Sequence, residues 1–174
     1  FYGINCGSFG FLMNKDDQKS FHKKVKISNR TNIYPLKIFT TDLKNKKKSL
    51  MAINEVSLLR QSKQTTSLNL KIGGKIIIKN LIGDGILVST PAGSTAYNLS
   101  VHGPILNLNS GKLAVTPISP FRPRRWKGKI VSNKSIVKIL NLNPKKRPVA
   151  ASADNVEIRN IKSVVIKNDI KNKI

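Results

Sequence analysis

Only eight carboxylates occur in this chain of 174 residues, so the position of each carries information. Glu55 follows Asn54 inside the apolar run MAINEVSLL, Asp84 stands between Gly83 and Gly85, and Asp154 closes the small-residue run AASAD. An ionised carboxylate in an apolar strand is costly unless it meets a partner. A sugar hydroxyl, an arginine or a metal would each serve; for any one of these acids alone, a structural salt bridge is the plainer explanation. A second candidate is the run Ser89-Thr90-Pro91-Ala92-Gly93-Ser94-Thr95. Small residues let a ligand approach the backbone, and hydroxyls with the free N–H groups of a first helical turn supply hydrogen bonds. Tyr97, just beyond, offers a ring to a base or a nicotinamide. The alternative there is an ordinary strand–turn–helix junction.

Other patterns carry less. Gly74-Lys75 is followed by Ile76, so it is not a phosphate-binding Gly-Lys-Ser/Thr loop. Gly3, Gly7 and Gly10 lack the spacing of a dinucleotide fingerprint. Ser20-x-x-Lys23 and Ser135-x-x-Lys138 have no partner motifs of a serine acylase. His22 lies in a charged stretch, His102 precedes Gly103-Pro104 as a helix end would, and no metal-ligand spacing is present.

These residues need elements to position them. Phe1–Met13 reads as a buried strand and a glycine turn, and Lys15–Lys26 as a short surface helix with Phe21 and Val25 on one face. From Tyr34 onward the pattern turns to strands. Pro35–Thr41 and Ser49–Leu59 flank a solvated lysine tip, Lys44–Lys48, while Leu68–Ile72 and Lys75–Asn80 flank Gly73-Gly74 as a tight hairpin. Strands follow at Gly85–Ser89, Leu113–Thr116, Ile136–Leu142, Val156–Arg159 and Val164–Lys167. One helix interrupts them, Ala96–Val101, with Ser94 or Thr95 as its N-cap and Gly103-Pro104 as its stop. The reading is a mostly β domain over 33–167 preceded by the tail of an α/β element in 1–32.

The net charge of +24 raises the prospect of nucleic acid. Against it, only 7 of the 32 basic residues are arginine, as expected where an AT-rich genome fills solvated faces with lysine. Aromatics also do not look interleaved with the basic residues, as base stacking requires. No stretch approaches the apolar length of a membrane helix. The single cysteine, Cys6, excludes an internal disulfide and fits a reducing cytosol. The start of the chain lacks the basic region and cleavage site of a signal peptide and reads as mid-domain.

Four blocks in order resemble the NAD kinase family: YGINCGSFGFL from Tyr2, the pair Asn54-Glu55, GDGILVSTPAGSTAYNLSVHGPI from Gly83 to Ile105, and LAVTPISPFRPRR from Leu113 to Arg125. The last has the form of alphaproteobacterial members. The resemblance implies an α+β, mostly β fold. Residues 33–167 would be the family's C-terminal β-sandwich-like, NAD-binding domain, 1–32 the remnant of a Rossmann-like N-terminal domain, and 168–174 the start of a shortened C-terminal return segment. It implies transfer of the ATP γ-phosphoryl to the 2′-hydroxyl of the adenosine ribose of NAD, with Mg²⁺ or another divalent cation, giving NADP. It places NAD against Asn54, Glu55, Asp84, Ala92, Thr95, Ala96, Tyr97, Asn98, Leu99 and Ser100. Ser119 would serve a neighbouring subunit's site, and Asn155 stands beside the family's invariant acid, Asp154. It further implies a cytoplasmic homo-oligomer, dimer or tetramer. The family's catalytic aspartate lies in a Gly-Gly-Asp-Gly motif upstream of these blocks; this sequence does not contain it, so the chain alone is expected to bind NAD weakly without turning it over. The competing expectations are a nucleotide-binding module without catalysis and a basic nucleic-acid-binding protein.

Overall fold

The computed structural model describes residues 2–8, 10, 12–15 and 21–174. They divide into two compact units, 1–32 and 33–174. In the first, β1 (Ile4–Asn5) pairs in parallel with β2 (Asn14–Lys15), and α1 (Phe21–Ile27) follows. Among the described residues of the stretch expected as a buried strand, only Ile4–Asn5 lie in a strand, and Ile4 is exposed. The expected helix begins at Phe21 among the described residues, and its start before that lies outside them.

The second unit is built from alternation. On β3 (Leu36–Asp42), Leu36, Ile38 and Thr40 point inward, and on β6 (Thr66–Ile72) Leu68 and Leu70 do the same. Period-two patterning of this kind specifies sheets with one dry face. The first sheet has the order β4 (Lys47–Ala52), β3, β14 (Ile161–Asn168), β11 (Val137–Asn141), β6, β7 (Lys75–Gly83). The second has the order β10 (Lys129–Ser132), β9 (Lys112–Ile118), β8 (Gly85–Ser89), β5 (Glu55–Arg60), β12 (Val149–Ala153), β13 (Val156–Ile158). All their pairings are antiparallel. A single core holds inward residues of both sheets, among them Ile38, Val56, Leu58, Leu70, Val88, Val115, Ile139 and Ile166. At about 1.5–3 kcal/mol for each large aliphatic side chain taken from water, this face-to-face burial is the main stabilising term.

The Gly73-Gly74 hairpin forms as expected, with both glycines left-handed at φ 56° and 82°. Two other expectations need correction, and two strands, β10 and β12, were not expected. Ser49–Leu59 is not one strand: it breaks at Ile53-Asn54, and β4 and β5 belong to different sheets. β12 was invisible in sequence because alanine and serine are poor strand formers, and pairing with β5 overrides that preference. The expected helix Ala96–Val101 is a 3-10 turn, Ala92–Thr95, then one α-helical turn, α2 (Tyr97–Ser100). The two are separated by Ala96 at φ −92°, ψ −129°, and neither has a side-chain cap. His102, at φ 61°, ends the helix as its place before Gly103-Pro104 implies.

Candidate functional site

The strand break at Ile53-Asn54 has an identifiable cause. Asp154, left-handed at φ 47° in the turn between β12 and β13, turns its carboxylate onto three successive amides. Ile53 donates to Oδ2 at 2.7 Å, and Asn54 and Glu55 donate to Oδ1 at 3.0 and 3.1 Å. From the other side, the Thr90 amide donates to the Asn54 carbonyl at 2.9 Å, and the Thr90 hydroxyl donates to the Ile53 carbonyl at 2.7 Å. Gly93 closes the contact: a Cβ there would stand 2.2 Å from the Asn54 carbonyl oxygen. The backbone of the Asn54-Glu55 turn is therefore gripped from both sides. Its side chains are not. Neither bonds another described residue, and Glu55 Oε2 is buried without a partner.

Burial, and after it the charge of Asp154, raises the Glu55 pKa from the ordinary 4.5 to about 7. A buried acceptor with no donor is a standing cost, relieved by a ligand that donates a hydrogen bond.

The Ser/Thr-rich turn differs from expectation. Its amides and hydroxyls are largely used inside the protein: Gly93 N–H donates to Thr90 Oγ1, Ser94 N–H to the Pro91 carbonyl and Ala96 N–H to the Gly93 carbonyl. Ser94 Oγ donates to the Pro91 carbonyl and accepts the Leu106 amide. The first-turn amides expected to be free for a ligand are therefore mostly spent inside the protein. What remains open are the half-buried Thr95 and Tyr97 hydroxyls, which bond no other described residue. Burial first, then Asp84 and Glu55, raises the Tyr97 pKa, so its hydroxyl stands in the field of both carboxylates.

Asn98 is fully buried and completely engaged. Its amide donates to the Ser94 and Pro104 carbonyls at 3.2 and 2.9 Å, and its oxygen accepts the Thr116 hydroxyl at 2.7 Å. Because Thr116 is the cross-strand partner of Leu87, this bond lays the 92–104 segment across the outer face of β8. The Asn98 side chain thus positions the turn. Ala92 is buried, Ala96 half-buried, and Leu99 and Ser100 are exposed.

The expected residues fall at two ends of one strand pair. Glu55 pairs with Ser89, and Asn54, Asp154 and Asn155 lie at that same end. At the other, Gly85 pairs with both Leu59 and Ile118, and Asp84 and Ser119 lie just beyond. Five residues of strand separate the ends, roughly 16 Å, with Tyr97 between them. Asp84 is held by Arg60, whose Nε donates to its Oδ1 at 2.6 Å. Ser119 is exposed at φ 45°, and Asn155 is exposed in the hairpin turn.

Sequence reading missed Arg60 and Thr90 as supports. Arg60 ends β5, one residue past the Leu59 that pairs with Gly85, which sets it beside Asp84. It also missed that Phe121–Trp126, FRPRRW, does interleave aromatics with arginine, contrary to the expectation above. Phe121 lies 5.6 Å below the guanidiniums of both Arg122 and Arg124.

The two-sheet architecture is that of NAD and NADH kinases. It superposes on a yeast NADH kinase complexed with NADH at TM-score 0.80 and 28% identity, covering 97% of this chain and 50% of that one. An Archaeoglobus fulgidus NAD kinase in complex with ATP shares the fold at TM-score 0.80 and 21% identity, with 65% of that chain covered. The chain belongs to the ATP-NAD kinase C-terminal domain family, which it matches over residues 53–167. Curated NAD kinases of Zymomonas mobilis and Rhizobium meliloti are each 46% identical to it, over 97% and 98% of its length. It spans 65% and 66% of those two relatives. No helix among the described residues is long and apolar enough to cross a membrane.

Proposed function

We propose that this chain is the acceptor-binding part of an NAD kinase, which transfers the ATP γ-phosphoryl to the adenosine-ribose 2′-hydroxyl of NAD and yields NADP. The observation that carries this reading is the gripped turn with free side chains: Asn54 and the orphaned Glu55 carboxylate are held still and left unbonded. A ribose supplies the hydroxyl donors that Glu55 lacks. Thr95, Ala96 and Tyr97 would border the same space, with Ala92, Asn98, Leu99 and Ser100 shaping the turn behind them. Asp84 would meet the far end of an extended dinucleotide and Asn155 the near end, while Ser119 would reach the site of a neighbouring subunit.

Phosphoryl transfer rests mostly on positioning and electrostatics. The residues of this chain orient the acceptor. The catalytic aspartate of the resemblance belongs to a Gly-Gly-Asp-Gly motif that this sequence does not contain. Among the described residues no three acids, histidines or cysteines converge as a metal site. A Mg²⁺ would enter with the phosphates, held by one or two carboxylates. A soluble cytoplasmic homo-oligomer is part of the same proposal, as is the assignment of 33–167 to NAD binding, 1–32 to the end of an α/β domain and 168–174 to a return segment.

The test is calorimetric titration of the chain with NAD, beside a coupled assay for NADP. Measurable NAD binding that Glu55→Ala weakens at least tenfold, with no NADP formed until a Gly-Gly-Asp-Gly segment is supplied upstream, is expected. NAD binding unaffected by Glu55→Ala would sink the reading.

A further inference from the structure

Arginine is scarce here, and scarcity makes its positions informative. Where composition drifts to lysine, a guanidinium persists where its planar, multidentate geometry is used. Three arginines show such use within the protein. Arg60 bonds Asp84 and the Ser62 carbonyl, Arg147 bonds Thr65, and Arg159 bonds Glu157. Three more, Arg122, Arg124 and Arg125, occur within four residues, all exposed. Among the described residues none of their side chains has a hydrogen bond or ion pair; two have only the face of Phe121.

The segment that carries them is firmly mounted. Ile82 and Arg122 exchange backbone hydrogen bonds at 2.8 and 3.0 Å. Trp126 packs against the core, and Gly128, at φ 99°, lies so close to Val115 that a Cβ would stand 2.3 Å from its carbonyl oxygen. Arg125 is itself left-handed at φ 64°, a conformation uncommon outside glycine and imposed by this mounting. The ring of Phe121, half-exposed, holds two guanidiniums in place by cation–π attraction.

Three exposed guanidiniums with no protein partner among the described residues, on a fixed loop, are available together to an anion from outside. A second copy of this chain is a poor source, with eight acids against 32 basic residues. Of the six described acids, Asp84 and Glu157 bond arginines elsewhere, Asp42, Asp154 and Asp169 accept backbone amides, and the Glu55 carboxylate is sunk in its own turn with Oε2 buried. One guanidinium fork fits carboxylate and phosphate alike, but a chain of phosphates offers acceptors enough to serve three forks at once, where an isolated carboxylate serves one. We propose that Arg122, Arg124 and Arg125 form a receptor for a di- or triphosphate chain, with Phe121 as its floor. The inference stands on this loop alone and is independent of the reading of Glu55.

Trp126 is the one tryptophan of the chain and borders the receptor, so its fluorescence reports occupancy. The full chain is titrated with inorganic tripolyphosphate at physiological salt, and saturable binding is expected. The triple variant Arg122→Lys, Arg124→Lys, Arg125→Lys keeps the net charge and leaves the backbone contacts intact, yet should bind at least tenfold more weakly. A control replacing Lys44, Lys46, Lys47 and Lys48 with Gln at the distant tip should change affinity less than threefold. ATP equal to tripolyphosphate identifies the phosphate chain as the whole ligand. Tighter ATP binding that Phe121→Ala abolishes adds a stacked base; either result supports the receptor. Wild-type affinity in the triple variant, or an equal loss in the tip control, overturns it. A failure of tripolyphosphate to bind, with a single-stranded oligonucleotide binding through the trio at a steep salt slope, overturns it in favour of nucleic acid.

Discussion

Asp154 and Glu55, 99 residues apart in sequence, exchange backbone-directed hydrogen bonds: Asp154 Oδ1 accepts the Glu55 amide at 3.1 Å, and the Asp154 amide donates to the Glu55 carbonyl at 3.1 Å. The contact sets the position of the Glu55 carboxylate and also raises its pKa. Asp154→Ala would leave the Asn54 and Glu55 amides unpaired, at a cost of about 2–4 kcal/mol. The expected result is a melting temperature lower by roughly 5 °C or more, with at least tenfold weaker NAD binding. Asp154→Asn keeps one acceptor oxygen and tolerates the left-handed backbone, so it should fall between. Thermal denaturation beside calorimetry checks both. An Asp154→Ala protein with unchanged NAD affinity would contradict the clamp.

Glu55 gives a pH signature of definite sign. Its folded pKa of about 7 lies above its ordinary 4.5, so between these values the folded state holds a proton that the unfolded chain has released. Stability should therefore fall as pH rises through that window and level off above it. Glu55→Gln should flatten the profile, measured as melting temperature from pH 4.5 to 8. NAD affinity should move oppositely, rising through pH 7 as the carboxylate ionises and becomes a stronger acceptor. A Glu55→Gln profile that parallels the wild type would remove Glu55 as the titrating group.

Gly93 has no room for a side chain against the Asn54 backbone. Gly93→Ala must push the 3-10 turn off the Asn54-Glu55 turn. We expect a loss of about 1–3 kcal/mol together with loss of NAD binding. Gly74→Ala, at the exposed hairpin tip where a Cβ would meet nothing within 4 Å, should cost stability through its positive φ but leave NAD affinity intact. Equal effects on NAD affinity would argue against the Gly93 contact.

Asn98→Asp offers a test of the 92–104 segment. The substitution turns two donors, facing the Ser94 and Pro104 carbonyls, into acceptors and buries a charge. The variant should be markedly less stable at pH 8 than at pH 5, because protonation relieves the repulsion. Urea unfolding at the two pH values would show it, and pH-independent stability would count against the buried network.

Part of this was legible in the chain itself. Gly73-Gly74 between apolar runs predicted its hairpin, because turn chemistry is local and only glycine adopts two consecutive left-handed positions easily. The alternation on β3, β6 and β14 marked strands for the same reason. The helix after Thr95 was misread because its residues have good local signals for a cap. The fold uses them otherwise: Ser94 bonds Leu106, and Ala96 breaks the helical path.

What the sequence by itself determined is the set of strands with alternating faces, the turns with obligatory glycines, and the motif blocks that mark the family. Those signals lie within a few residues of one another. The tertiary structure alone decided that Ser49–Leu59 divides between two sheets, that Asp154 reaches back to hold Asn54 and Glu55, and that Asn98 is spent on Thr116 and not left for a ligand. Each depends on groups 18 to 101 residues apart. No local propensity encodes such a pairing; it follows from burying both sheets against one core, which brings β12, β5 and β8 side by side and aligns their ends.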